Sequence, residues 1–476
     1  MKKYCFLITF IIMLFLPLYA RAEDGDAQRL DAVLTAGNGA STAGLSDSNC
    51  GTFVDFGAGG RLSIKVGEGL SIGGIYLKWY KVPGDWNLSY SDSTGNASTL
   101  GCGRNGFLHE YVSIEDGGIN ECVMEFPSGA SLCDVYVYSP GKLPSDVQTW
   151  KAAPDKADIL VFSTHADDEC LFLGGAIATY AAERNFRVQV VYMTNYWDVM
   201  IVREHEKLNG LWAMGVKYYP VTGFTPDEYV TTVEAAAALY GKDKWTEFIT
   251  QQIRRFKPQV VISQDFNGEY GHVAHILKAD CIKEAVENSM KADFCPESAA
   301  QYGTWDVPKT YYHLYWENKI RLNLRQPISS LGGKTAIEAA ADAYLCHESQ
   351  QWCWFYVTDD PNDPKSDQIN SAEFGLYRTT VGADTSNDMM EHITSYDDQD
   401  RLQEEARLEE EKTRTEEEKK AKREKKLKEQ ELAREEALKK TKEPLSAGGI
   451  TGLLIMFILL AAGVVVYVKD RHRRGI

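Results

Sequence analysis

Five consecutive residues, His165-Ala166-Asp167-Asp168-Glu169, put an imidazole beside three carboxylates directly after an apolar run. An imidazole and a carboxylate three residues apart converge on one cation when the turn between them is tight. Zinc sites of the catalytic kind use three nitrogen or oxygen ligands and leave a position for water. The third ligand is then expected to be another His or carboxylate at the end of a second strand. Gly268-Glu269-Tyr270-Gly271-His272-Val273-Ala274-His275 offers it, with His272 and His275 at i,i+3 opening a helix and sharing one face. Each motif alone is weak, because an H-x-x-H occurs by chance and acidic pairs after strands are often helix N-caps. In this order, each past a strand, they are far more specific.

The elements that must position these residues alternate in type. Ala157–Ser163 is a continuous apolar strand, followed by a helical stretch at Glu169–Arg184. A second strand covers Arg187–Met193, a helix about Arg203–Met214, and a further helix ends at Lys257-Pro258. Gln259–Ser263 is again a strand, and another helix starts near Gly271. Strands alternating with helices predict an α/β fold, a Rossmann-like, mostly parallel sheet with helices on both faces. Ligands of such sheets gather outside the carboxyl ends of the strands, where both motifs fall.

Residues 155–385 resemble the N-acetylglucosaminyl-phosphatidylinositol de-N-acetylase family, also called PIG-L or LmbE-like. The family's A-H-P-D-D-E reads T-H-A-D-D-E here, and its R-x-x-E with a later Gly-Val is matched by Arg203, Glu206, Gly215 and Val216. Its Y-G-H-P-D-H is matched by Tyr270, Gly271, His272 and His275, and a late H-x-S-Q by His347, Ser349 and Gln350. The resemblance implies that His165, Asp168 and His275 bind Zn2+ and that Asp167 is the general base. It further implies that His272 stabilises or protonates the tetrahedral intermediate, that Tyr270 helps polarise the carbonyl, and that Arg203 contacts substrate hydroxyls or phosphate. Ala166 and Val273 replace prolines. Ala274 replaces an aspartate, which removes an expected partner of His272; Glu269 and Asp265 are the substitutes to look for. Cys170 is expected to pack rather than ligate, and His205 and His313 to be structural or surface residues. Trp245, Trp305, Trp316, Trp352 and Trp354 are the pool from which a sugar-stacking platform would be drawn, although most Trp are core.

The flanks set the context. Residues 1–22 have a charged start, an apolar run and Ala20-Arg21-Ala22, the pattern of a removed signal peptide. Residues 25–148 alternate short apolar runs, such as Arg61–Val66 and Cys133–Tyr138, with turn clusters. They predict an antiparallel β-sandwich and resemble galactose-binding-like (discoidin-type) jelly rolls, which often bind glycans. Residues 401–443 lack Pro and Gly and carry 15 basic and 14 acidic side chains, which predicts a solvated helical stalk of roughly 60 Å, a single helix more than a coiled coil. Residues 446–468 are long and apolar enough for a transmembrane helix. The cationic tail, 469–476, is then cytoplasmic and the N-terminal part extracellular. Residues 1–400 hold 32 basic and 53 acidic side chains, a balance that repels nucleic acid. Cys50, Cys102, Cys122 and Cys133 form an even set in the first domain, for which one or two disulfides are expected in an oxidising compartment.

These features together predict a membrane-anchored zinc de-N-acetylase acting on an N-acetylglucosamine-type sugar in a glycan or glycoconjugate. The alternatives are a glycan-binding surface protein whose hydrolase domain has decayed, and a zinc esterase or amidase acting on another acyl group.

Overall fold

The computed structural model describes residues 25–115, 117–441 and 447–473; the signal-peptide expectation falls outside them. Residues up to Asp397 form one compact unit, and those from Asp398 onward form a second.

The first unit begins with two five-stranded antiparallel sheets. One runs Arg29–Leu30, Ala130–Tyr138, Gly74–Trp79, His109–Ser113, with Val54–Phe56 also on Ala130–Tyr138. The other runs Ala32–Ala36, Gly60–Val66, Glu121–Phe126, Trp86–Ser91, Ala97–Cys102. Alternation does what period-2 patterning requires: Leu62, Ile64 and Val66 are buried while Arg61 and Lys65 face out. The described cysteines are free thiols, and the Cys133 thiol donates to the Cys50 carbonyl at 3.4 Å.

A seven-stranded sheet follows. Its strands are β1 (Ile159–Ser163), β2 (Val188–Asn195), β3 (Val221–Pro226), β4 (Val260–Ser263), β5 (Lys309–His313), β6 (Lys319–Arg321) and β7 (Glu373–Thr379). They lie in the order β3-β2-β1-β4-β5-β7-β6. The first five are mutually parallel, and the last two pair antiparallel. Strands β1 and β2 are buried along their whole length, as a parallel sheet covered on both faces demands. Ile159 and Val161 join one apolar cluster and Leu160 and Phe162 another. The first of these clusters continues into the sandwich, so the two folds share a core.

The helix expected over Glu169–Arg184 is broken into α1 (Asp168–Leu171), α2 (Gly174–Ala178) and a wider turn over Thr179–Glu183. Close packing accounts for α2: a Cβ on Gly174 would press on Ala340, and one on Gly175 on Leu324. Helix α3 (Ile201–Ala213) and helix α4 (Val273–Asn288) lie where the sequence places them, and α5 (Ala336–Leu345) packs against α2 and α3.

In the second unit, a 46-residue helix, Tyr396–Thr441, which starts at the end of the first unit, exposes Leu402, Leu408, Leu427, Leu432 and Leu438, as a solvated rod does. A second helix, Ala447–Arg473, contains Thr451–Arg471, a stretch long and apolar enough to cross a membrane.

Candidate metal centre

The first motif builds its own turn. Asp168 Oδ2 accepts the His165 backbone N–H at 2.7 Å and so closes the chain after β1. Asp167, between them, has φ 134°, a region that residues with a Cβ rarely occupy. Its N–H donates to Glu169 Oε2 at 2.9 Å, and its carbonyl accepts from Cys170 and Leu171, so the strained residue is held from both sides. The loop after β4 turns at Gly268 (φ 65°), where an added Cβ would collide with the His272 carbonyl oxygen; glycine alone fits there. Tyr270 follows with φ 47°, and His272 caps the start of α4.

These two loops bring three donor atoms together. His165 Nδ1 lies 2.9 Å from Asp168 Oδ2, His275 Nε2 lies 3.1 Å from the same oxygen, and the two nitrogens are 3.2 Å apart. A tetrahedral shell with bonds of about 2.0–2.1 Å sets its donors about 3.3 Å apart, so the trio has the spacing of metal ligands. The outer ring nitrogens are each answered by a carboxylate: His165 Nε2 by Asp227 at 3.3 Å, and His275 Nδ1 by Glu269 at 2.8 Å. With each outer nitrogen donating to its carboxylate, the inner ones turn lone pairs toward the Asp168 carboxylate. Three electron-rich atoms so close repel one another unless a proton or a metal ion sits between them. His272 contributes a third imidazole, its ring centroid 4.7 Å from that of His165 and 4.4 Å from that of His275. Its Nδ1 is buried without a partner among the described residues.

The electrostatics agree with a centre that draws positive charge. Burial opposes charge on His275, yet the Asp168 and Glu269 carboxylates outweigh it and push the imidazole up to about 9. His272, buried and facing His275 and His165, is pushed down to about 2. Burial raises Asp167 to about 7 against the pull of Arg203. Burial also pushes the Tyr270 phenol up, with Asp168 and Asp167 adding to it.

Arg203 is placed differently from the expectation of a substrate contact. Its guanidinium is buried, stacks on Tyr196 at 4.2 Å, donates to the Ala166 carbonyl and pairs with Asp167 at 3.2 Å. One turn on along α3, Glu206 accepts from the backbone and hydroxyl of Ser349 at 2.7 and 2.6 Å. The late H-x-S-Q element is thereby tied to the same helix, and its His347 Nε2 sits 3.1 Å from Glu169. Cys170 is buried with its thiol 3.4 Å from Glu169 and 3.7 Å from His347. His313 is buried, its Nε2 donates to the Asn370 carbonyl at 2.9 Å and its Nδ1 lies 2.8 Å from Glu269, and His205 meets His109 of the sandwich at 2.8 Å.

Of the expected substitutes for the missing aspartate, Glu269 acts on His272 through its charge but makes its direct contacts elsewhere. Glu269 is shared by His275 and His313 and accepts the Asp265 N–H. Ala274 lies fully buried in the apolar cluster behind α4, because a residue one step from His275 on a helix points about 100° away from it. Sequence reasoning missed Asp227, which stands just past β3, and Gln264, whose amide links Thr164, Lys278 and His275 beneath the donors. It also missed Lys278, which donates to the Phe162 carbonyl at 2.8 Å and which burial pushes down to about 7. Asp227 had one available signal, an acid just beyond a strand of the parallel sheet.

Residues 160–286 match the family model PIG-L, GlcNAc-PI de-N-acetylase. A 1D-myo-inositol 2-acetamido-2-deoxy-alpha-D-glucopyranoside deacetylase 1 of Catenulispora acidiphila is 24% identical over 220 residues, 39% of this chain and 64% of the relative. The chain spans 59–65% of the length of the first curated relatives it matches. The N,N'-diacetylchitobiose deacetylase of Pyrococcus horikoshii is similar over 41% of this chain and 71% of its own, at 18% identity and a TM-score of 0.31. A family 32 CBM from C. perfringens NanJ is similar over 24% of this chain and 99% of its own, at 12% identity and a TM-score of 0.21.

Proposed function

We propose, from the premise that residues 160–286 are a PIG-L family domain, that this chain is a zinc-dependent de-N-acetylase acting on an N-acetylglucosamine-type sugar. The observation that carries the reading is the pair of histidines whose inner nitrogens meet at Asp168 while their outer nitrogens rest on Asp227 and Glu269.

His165, Asp168 and His275 are the zinc ligands in this reading, and Asp227 and Glu269 fix the two rings and raise their basicity. When bound, zinc acts as a Lewis acid and lowers the pKa of water toward ~7. Asp167 takes the proton of the attacking water at its carboxylate, and Arg203 together with the Glu169 contact to its N–H holds it in place. His272 turns its Nδ1 to the acetamide, and the Tyr270 hydroxyl donates a hydrogen bond to the carbonyl oxygen as charge builds there. The proton that Asp167 took from water passes to the nitrogen as the C–N bond breaks, and the acetic acid released, which carries the new oxygen, ionises to acetate as the free amine takes up its proton. Arg203 acts as a positioning residue for Asp167, in place of the substrate contact the resemblance implies. The apolar C-terminal helix anchors the chain, with the catalytic part extracellular and the cationic tail inside.

The test uses the full-length chain in detergent. Acetate and free amine are expected in equal amounts from an acetamido sugar, with activity lost on chelation and restored by Zn2+. A metal-loaded protein that releases no acetate from any N-acetylated amino sugar overturns the reading.

A further inference from the structure

The loop after α5 carries an unusual surface. Trp352 is 81% exposed and Trp354 45% exposed, although each indole brings a large apolar area that water disfavours. Trp354 packs against Phe355 at 4.6 Å with the rings tilted 47°, Phe355 lies 5.0 Å from Tyr270, and Trp354 itself is 6.0 Å from Tyr270. Tyr270 in turn sits 5.7 Å from His272 and 6.0 Å from His275. A line of aromatic rings therefore leads from the metal centre to open solvent.

The loop that presents it is fixed rather than loose. Ser349 is held twice by Glu206, the Gln351 amide donates to the Tyr344 and His347 carbonyls at 2.9 and 3.2 Å, and the Cys353 N–H donates to Gln350 at 3.1 Å. Lys365 seats its ammonium over one face of the Trp354 ring, 2.9 Å from the centroid, so the indole surface left open is bordered by a polar group. That mixture suits pyranose rings, which offer C–H faces flanked by hydroxyls, better than a lipid or an apolar protein face.

We propose that Trp352 and Trp354 form a stacking platform for the sugar residues adjoining the acetamido sugar, which makes the substrate an oligosaccharide. This rests on the deacetylase reading above. The platform acts on binding of neighbouring units and leaves the chemistry to the centre.

The experiment compares acetate release by the full-length protein from N-acetylglucosamine and from its β-1,3-, β-1,4- and β-1,6-linked tetramers. Wild type is expected to show higher kcat/KM for at least one tetramer than for the single sugar. Trp352→Ala and Trp354→Ala are expected to lower that ratio about tenfold through KM, the size of a lost aromatic anchor, while Trp352→Phe restores most of it. No tetramer preferred over the single sugar, or variants that keep the ratio, overturns the platform. Isothermal titration with the same tetramers separates the two readings. Binding that Trp352→Ala abolishes supports the platform even if no acetate is released, a result that would instead sink the deacetylase reading; no binding by wild type overturns the platform.

Discussion

Among the described residues, two clusters have donor atoms close enough to hold a metal ion, and the same five-residue motif feeds both. One is His165, His272 and His275, with Asp168 against His165 and His275, here the front cluster; the other, the rear cluster, is Glu169, Cys170 and His347. Both gather their donors from distant parts of the chain. They differ in what the donor atoms already do. In the front cluster the inner atoms face one another and the outer ring nitrogens of His165 and His275 rest on carboxylates. In the rear cluster Glu169 is spent on the Asp167 N–H, on His347 and on the Cys170 thiol, and all three residues are sealed from solvent. The contrast teaches that residue types alone do not define a metal centre; unspent lone pairs converging on one point do.

The strongest way to break the comparison is Asp168→Ala. It removes the oxygen that both inner nitrogens share, so zinc content by elemental analysis and acetate release are expected to vanish together. Retention of a full equivalent of metal would move the centre elsewhere. Next is Asp167→Asn, which keeps every proposed ligand and removes the base; turnover is expected to fall about 10²–10⁴-fold with zinc still bound. Near-normal turnover would transfer the base role to another group.

The carboxylates behind the rings sharpen the comparison at a smaller scale. Asp227→Asn is expected to weaken zinc affinity about 10–100-fold, measured by competition with a chelator, because a carboxylate partner orients a ligating histidine and makes it more basic. An unchanged affinity would mean that the Asp227 contact to His165 does not tune the centre. The smallest effect belongs to the rear cluster. Cys170→Ala is expected to leave zinc content at the wild-type level and to lower unfolding stability by about 1 kcal/mol, as trimming a buried side chain does. Loss of metal in that variant would make the rear cluster a ligand set.

Much of this was legible from residue order. An apolar run followed by H-x-D-D-E, and a second run followed by G-H-x-x-H, placed both halves of the centre at strand ends, and the β1 and β4 neighbours bear that out. The short-range pattern also marked sandwich strands, because alternation survives in Gly60–Val66, whereas Gly74–Trp79 is buried on both faces. What it did not give are contacts made across loops. Asp227 reaches His165 from 62 positions away along the chain, and nothing in local spacing marks it. Glu269 was in view inside the second motif, yet its direct partners were not: its carboxylate pairs with His275 and His313 and acts on His272 through charge alone. Ala274 looked like a deficit beside the last histidine, whereas helical rotation turns it into the core.

The seam between the sandwich and the sheet has a consequence for heredity. Phe107 stacks on Tyr219 at 4.5 Å, the Leu108 N–H donates to the Tyr219 hydroxyl at 3.0 Å, and His109 meets His205 on the helix that also carries Arg203. Modules joined by a free linker can be traded between genes without harm to either. Here an exchange of the sandwich would strip partners from the very helix that steadies Asp167. The two halves therefore depend on each other, and a chimera built by swapping the front half is expected to lose activity at the far one.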